Sequence, residues 1–177
     1  LAIKGDQEHA AGYVGKITSN SFMKREFGSR VIEGLLSGTD DMNPVELTTV
    51  IDTSGAFIPG HGTPTVILTG RRRRPQAASV RVVLGLRSEP GRPDVPSRGA
   101  VWSELASQVD SPGFVGTFVA VHDWSRDRLK FAPWILSAGG YDLVEAMGWV
   151  PGRAAERPLR SMTEVVGYTG QTNADDV

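Results

Sequence analysis

Gly12-Tyr-Val-Gly-Lys-Ile-Thr-Ser-Asn-Ser-Phe22, a helical pattern to Leu36, the run Glu46 to Ser54, and Ala56-Phe-Ile-Pro-Gly-His-Gly-Thr-Pro-Thr-Val-Ile-Leu-Thr69 together set the fold of this chain. They read as strand, helix, strand, Gly-rich loop, strand. Tyr13 to Thr18 is short and rich in β-formers, and Ser19, Asn20 and Ser21 are three successive helix N-cap candidates. Beyond them Met23, Phe27, Val31 and Leu35 recur at every fourth position with Ile32 and Leu36 beside them, which predicts an apolar helical stripe. Lys24, Arg25, Glu26 and Arg30 face away from it. Gly38 and Asp40-Asp41-Met42-Asn43-Pro44 end the helix.

Leu47 to Ile51 is a continuous β-prone run, expected to lie parallel to the first strand in a sheet that the helix covers. The loop Ser54 to Thr63 is too short for a second crossover, so Thr65 to Thr69 is expected to return antiparallel. The fold class is therefore α/β. Ligands in open α/β sheets bind beyond the carboxyl ends of the parallel strands, which places Ser19, Asn20, Pro59, Gly60, His61, Gly62 and Thr63 on one crevice rim. The glycines of that loop let backbone N–H groups approach a ligand or phosphate, and a hairpin turn needing positive φ would use them equally well.

On these residues, 12 to 28 and 50 to 68, the chain resembles the second half of the catalytic domain of adenine-specific DNA methyltransferases. It is most similar to the PglX type of bacteriophage-exclusion (phage growth limitation) systems. The resemblance implies the C-terminal half of a Rossmann-like sheet, ending in a parallel strand, a helix, a parallel strand and an antiparallel strand. It implies S-adenosylmethionine as cofactor, double-stranded DNA as substrate, and other proteins of the defence or restriction-modification system as partners. It also implies that Phe57, on the loop before the last strand, stacks on a flipped adenine; the alternative is a Phe that fills space under a loop.

The family's Gly-rich cofactor loop and its Asn-Pro-Pro-aromatic tetrapeptide both precede the strand that here begins at Tyr13, and neither occurs in the sequence. Asn43-Pro44 is followed by Val45 and is expected at the opposite end of the sheet, so no catalytic residue is assigned within the chain. Leu1-Ala-Ile-Lys4 reads as the tail of a helix already under way. The chain is thus expected to be a piece of a larger enzyme and inactive alone.

Composition of 40% hydrophobic and 22% charged residues is that of an ordinary globular protein, and no apolar run reaches the roughly 20 residues of a spanning helix. No membrane association is expected. Absence of cysteine removes disulfides, thiolate nucleophiles and thiolate metal sites, and fits a cytoplasmic protein. His9, His61 and His122 lack metal-ligand spacing, so no metal is expected. Ser54, His61 and Asp52 suggest a hydrolase triad only without the G-x-S-x-G elbow such a site uses.

The net charge of −1 hides eight arginines between Arg71 and Arg98. Arg71, Arg72, Arg73 and Arg74 follow the antiparallel strand and are expected to contact DNA phosphates beside the crevice; a solvated Arg-rich turn is the alternative. Residues 1–87 are assigned to the methyltransferase half-domain, with a further strand at Val80 to Leu86. Residues 88–100, rich in Pro and Gly, form a linker. Residues 101–150 are a small α+β extension, with a helix at Val101 to Val109, a strand at Phe114 to Val121 and a helix at Asp142 to Trp149. Trp102, Trp124, Trp134 and Trp149 are expected in its core, with stacking on bases as the alternative. Residues 151–177 are an irregular tail. Two functions follow: a DNA adenine-N6 methyltransferase, and a non-catalytic nucleic-acid-binding module on the same scaffold.

Overall fold

A computed structural model describes residues 11–38 and 44–136. It is an α/β arrangement around one five-stranded mixed sheet of order β1-β3-β2-β4-β5. The strands are β1 (Tyr13–Ser19), β2 (Glu46–Asp52), β3 (Thr65–Arg71), β4 (Ser79–Gly85) and β5 (Val119–Ser125). β3 is antiparallel to both β1 and β2, so β1 and β2 run the same way, as expected from a crossover. They are not neighbours, because β3 returns from its loop into the gap between them.

The crossover differs from one continuous helix. Ser19 caps a short 3₁₀ turn, Asn20–Met23, by accepting from the Ser21 N–H at 3.2 Å. The chain straightens at Arg25, then continues as α1 (Glu26–Ser29) and a π-helical segment, Arg30–Leu36. That break and the wider π winding move the buried face from every fourth residue to Met23, Ile32 and Leu36, and Phe27 is left 59% exposed. Val31 and Leu35 are only partly buried. Gly28 is packed so closely that a Cβ would lie 1.6 Å from the Phe22 carbonyl oxygen.

This crossover covers one sheet face, where Phe22, Met23, Ile32 and Leu36 meet Val50, Leu68, Val82 and Trp124. Trp134 closes the layer, its ring edge-on to Phe22 at 6.1 Å and its backbone N–H donating to the Met23 carbonyl at 2.9 Å. On the other face α2 (Ala100–Gln108) lays Val101 and Leu105 on Ile51, Val83, Val119 and Val121. Within the described residues, α2 packs on the sheet and β5 pairs with β4 along its whole length. β5 also begins later than the expected strand at Phe114, and His122-Asp123-Trp124 lie inside it. Trp124 and Trp134 are core and Trp102 is half-buried. Trp149, His9, Asn43, the expected helix at 142–149 and the tail lie outside the described residues.

β3 and β4 flank β2, so the chain between them must cross the N-terminal end of β2, where Glu46 stands. Glu46 is 1% exposed. Its Oε1 accepts from the N–H groups of Gln76 (2.9 Å) and Ala77 (3.0 Å), and its Oε2 from Arg73 Nε (2.5 Å). Nearby, Arg126 Nη2 donates to the Leu47 carbonyl at 3.0 Å. A buried carboxylate thus holds the crossing in place. β1 forms the opposite border of the sheet, pairing only with β3 among the described residues, with Tyr13 71% and Ile17 53% exposed. No described helix is long and apolar enough to cross a membrane.

Candidate functional site

The carboxyl ends of β1 and β2 bring together the residues placed on the crevice rim. Ser19 is in register with Thr65, and the Asn20 N–H donates to the Pro64 carbonyl at 3.0 Å. The loop between β2 and β3 has a closed neck: the buried hydroxyls of Thr53 and Thr65 lie 2.7 Å apart, and the Thr53 N–H donates to the Thr65 carbonyl at 3.0 Å. Asp52 Oδ1 accepts from the Ser54 N–H at 2.9 Å, so the carboxylate shapes the start of the loop. The loop tip turns at Pro59-Gly60, with His61 N–H donating to the Ile58 carbonyl at 3.2 Å and Gly60 at φ +69°. That is the sequence pattern of a type II turn, so glycine at 60 is required by the backbone. Gly62 faces open space. Pro59, Gly60, His61, Gly62 and Thr63 are all exposed.

Phe57 is half-buried and stands between two hollows. One, of about 190 Å³, is polar and lies toward Thr53, His61, Thr63 and Thr65. The other, of about 370 Å³, is apolar and open, lined by Phe57, Ile58, Pro59, Pro96 and Trp102. A ring so placed can offer a face to a planar ligand while its backbone is held. The hold comes from residues to which the sequence reading gave no such role. Trp102 Nε1 donates to the Phe57 carbonyl at 3.0 Å, and the Glu89 N–H donates to the Gly55 carbonyl at 2.8 Å. The Glu89 carboxylate in turn accepts from the first N–H groups of α2, Ala100 at 2.6 Å and Val101 at 3.1 Å. Nothing local in sequence marks either residue as a loop anchor, since their partners lie 45 and 34 positions away.

Because Trp102 contributes one neutral bond to this hold, Trp102→Phe is expected to loosen the loop and spare the sheet. A net hydrogen bond is worth about 0.5–1.5 kcal/mol. Hydrogen exchange at the Ala56 and His61 amides should then quicken roughly two- to tenfold while that of Val50 is unchanged. Equal protection in both proteins would show that Trp102 does not hold the loop.

The structure does not bring Arg71 to Arg74 to this site. β3 starts at the loop and ends at Arg71, so the run lies at the other end of the sheet, roughly 20 Å away for a seven-residue strand. There Arg71 stacks on and bonds to Tyr13, and Arg73 pairs with Glu46. Arg72 and Arg74 also have partners within the protein. Pro44, two residues before β2, is at that same far end. Among the described residues no group of three His, Asp or Glu is placed to hold a metal.

No family model matches the chain. Compared with curated proteins, it is 43% identical over 180 aligned residues, 99% of its length, to the adenine-specific methyltransferase PglX of Streptomyces coelicolor. The chain is similar to a segment of PglX. It spans 14% of that protein's length. The aligned span therefore covers the 53–65 loop and the 88–102 segment as well as the 12–70 stretch.

Proposed function

We propose that the protein carrying this chain is a DNA adenine-N6 methyltransferase of a phage-defence or restriction-modification system, with S-adenosylmethionine as methyl donor. In this reading the chain supplies the far part of a Rossmann-like sheet and the loop that closes over the flipped base. The observation that carries it is Phe57 on an anchored loop at the carboxyl ends of two like-directed strands, in a chain 43% identical to a PglX segment. An enzyme acting on a base must take it out of the duplex and hold it against apolar faces, and Phe57 offers such a face beside the hydroxyl-lined hollow.

The described residues do not by themselves fit S-adenosylmethionine. The polar hollow of about 190 Å³ is smaller than the roughly 300–1,000 Å³ usual for such ligands, and no acidic side chain lines it to meet a ribose. No step of methyl transfer is assigned to these residues; their part is to receive and position the base. Titrating the 177-residue chain with S-adenosylmethionine in a calorimeter is therefore expected to give no micromolar binding. The full-length protein, given the cofactor and duplex DNA, should form N6-methyladenine detectable by mass spectrometry of the digested DNA. A full-length protein that binds DNA without methylating it would favour the binding-module reading, and micromolar cofactor binding by the chain alone would place a cofactor site within it.

A further inference from the structure

Of the eight arginines between 71 and 98, five are engaged within the protein: Arg71 with Tyr13, Arg73 with Glu46, Arg81 with Asp123, and Arg72 and Arg74 with other partners. Arg87, Arg92 and Arg98 are exposed and have no carboxylate partner among the described residues. All three lie on the segment that joins β4 to α2, and that segment packs against the Phe57 loop. A Cβ on Gly55 would come within 2.7 Å of the Arg87 carbonyl oxygen, and the Arg92 guanidinium carbon lies 5.7 Å from the centre of the Phe57 ring. Arg98 follows Pro96 and Ser97, which line the hollow beside Phe57. The acidic residues of the segment are Glu89 and Asp94, and Glu89 is spent on the α2 N–H groups.

We propose that Arg87, Arg92 and Arg98 grip the phosphodiester backbone on either side of the nucleotide that Phe57 receives. The inference rests on the base-stacking reading above and adds which cations hold the strand. A flipped base remains tied to its two flanking phosphates, so a cation one ring away from the stacking face stands where a phosphate must pass. Arginine suits that task because its planar fork meets two phosphate oxygens at once. None of the three guanidinium groups holds a buried carboxylate that DNA would have to displace, unlike Arg73.

The test measures DNA affinity of the full-length protein against salt concentration. Replacing Arg87, Arg92 and Arg98 together by Gln is expected to flatten the slope of log affinity against log salt by about 0.9 for each phosphate no longer neutralised. Thermal unfolding at the parent temperature would establish that the exposed substitutions leave the fold intact. Replacing Arg72 and Arg74 by Gln should leave the slope unchanged. An unchanged slope in the triple variant overturns the proposal, and flattening only on replacement of Arg72 and Arg74 would move the phosphate contacts to the far end of the sheet. A parent protein that binds no DNA would instead remove the base-stacking reading, and this inference with it.

Discussion

Phe57→Ala in the full-length protein is expected to lower kcat/KM for DNA methylation roughly tenfold to a hundredfold. Base–aromatic stacking is worth about 1–3 kcal/mol per base, and each 1.4 kcal/mol is a factor of about ten in rate. The ring is half-buried on a loop whose neck is closed by Thr53 and Thr65 and whose backbone is held by Trp102, so truncating it removes a face without releasing the loop. The anchoring bond uses the Phe57 carbonyl, which alanine keeps. Phe57→Trp retains a stacking face and should keep more activity than Phe57→Ala. With 2-aminopurine in place of the target adenine, the parent should show fluorescence from an unstacked base partly quenched by its new neighbour. Loss of that quenching in Phe57→Ala, with unchanged thermal stability, is the expected pattern. Fluorescence and kcat/KM equal to the parent's would reduce Phe57 to loop packing.

The largest effect on stability is expected at Glu46. Glu46→Ala leaves the Gln76 and Ala77 N–H groups and the Arg73 guanidinium without their shared acceptor under the chain crossing. Removing one partner of a buried, hydrogen-bonded pair typically costs about 3–5 kcal/mol, and urea unfolding should read a loss of that order. A loss below about 1 kcal/mol, the size of one ordinary hydrogen bond, would mean that the crossing is held by packing alone.

The same site carries a pH signature. Burial works to raise the Glu46 pKa, but the Gln76 and Ala77 N–H bonds and Arg73 outweigh it and hold the carboxyl below its usual 4.5. A carboxyl depressed by folding contributes stability that is present above its unfolded pKa and is lost as pH falls through its folded value. Stability should therefore decline in acid from about pH 4.5 downward, and Glu46→Gln should flatten that part of the decline while lowering stability near neutrality.

The strands between 13 and 71 were legible from the residues alone, because each is written in local chemistry. Ser19 caps the turn after β1, the β-prone runs at 46 and 65 became strands, and the short loop between them forced an antiparallel return. The rim placement of Ser19, Asn20 and the 54–63 loop followed from strand direction. The helical stripe was legible only in part, since periodicity assumes one winding and the chain breaks at Arg25 and then winds as a π-helix, turning Phe27 outward.

Which strands are neighbours and which charges face the site were settled by long-range packing. Hydrophobic pattern fixes which face of a strand is buried but says nothing about its place in the sheet, so β3 between β1 and β2, and β5 beside β4, are outcomes of pairing between distant segments. Arg71 to Arg74 stand close to the loop in sequence, yet the extended strand between carries them to the sheet's other end. There Arg73 becomes the partner of a buried Glu46. Arg87, Arg92 and Arg98 look like part of a solvated Pro/Gly linker, and only the return of that segment onto Gly55 and Phe57 sets the linker beside the loop. Distance along a chain and distance in space part company wherever a strand intervenes, because seven extended residues span the sheet from one end to the other.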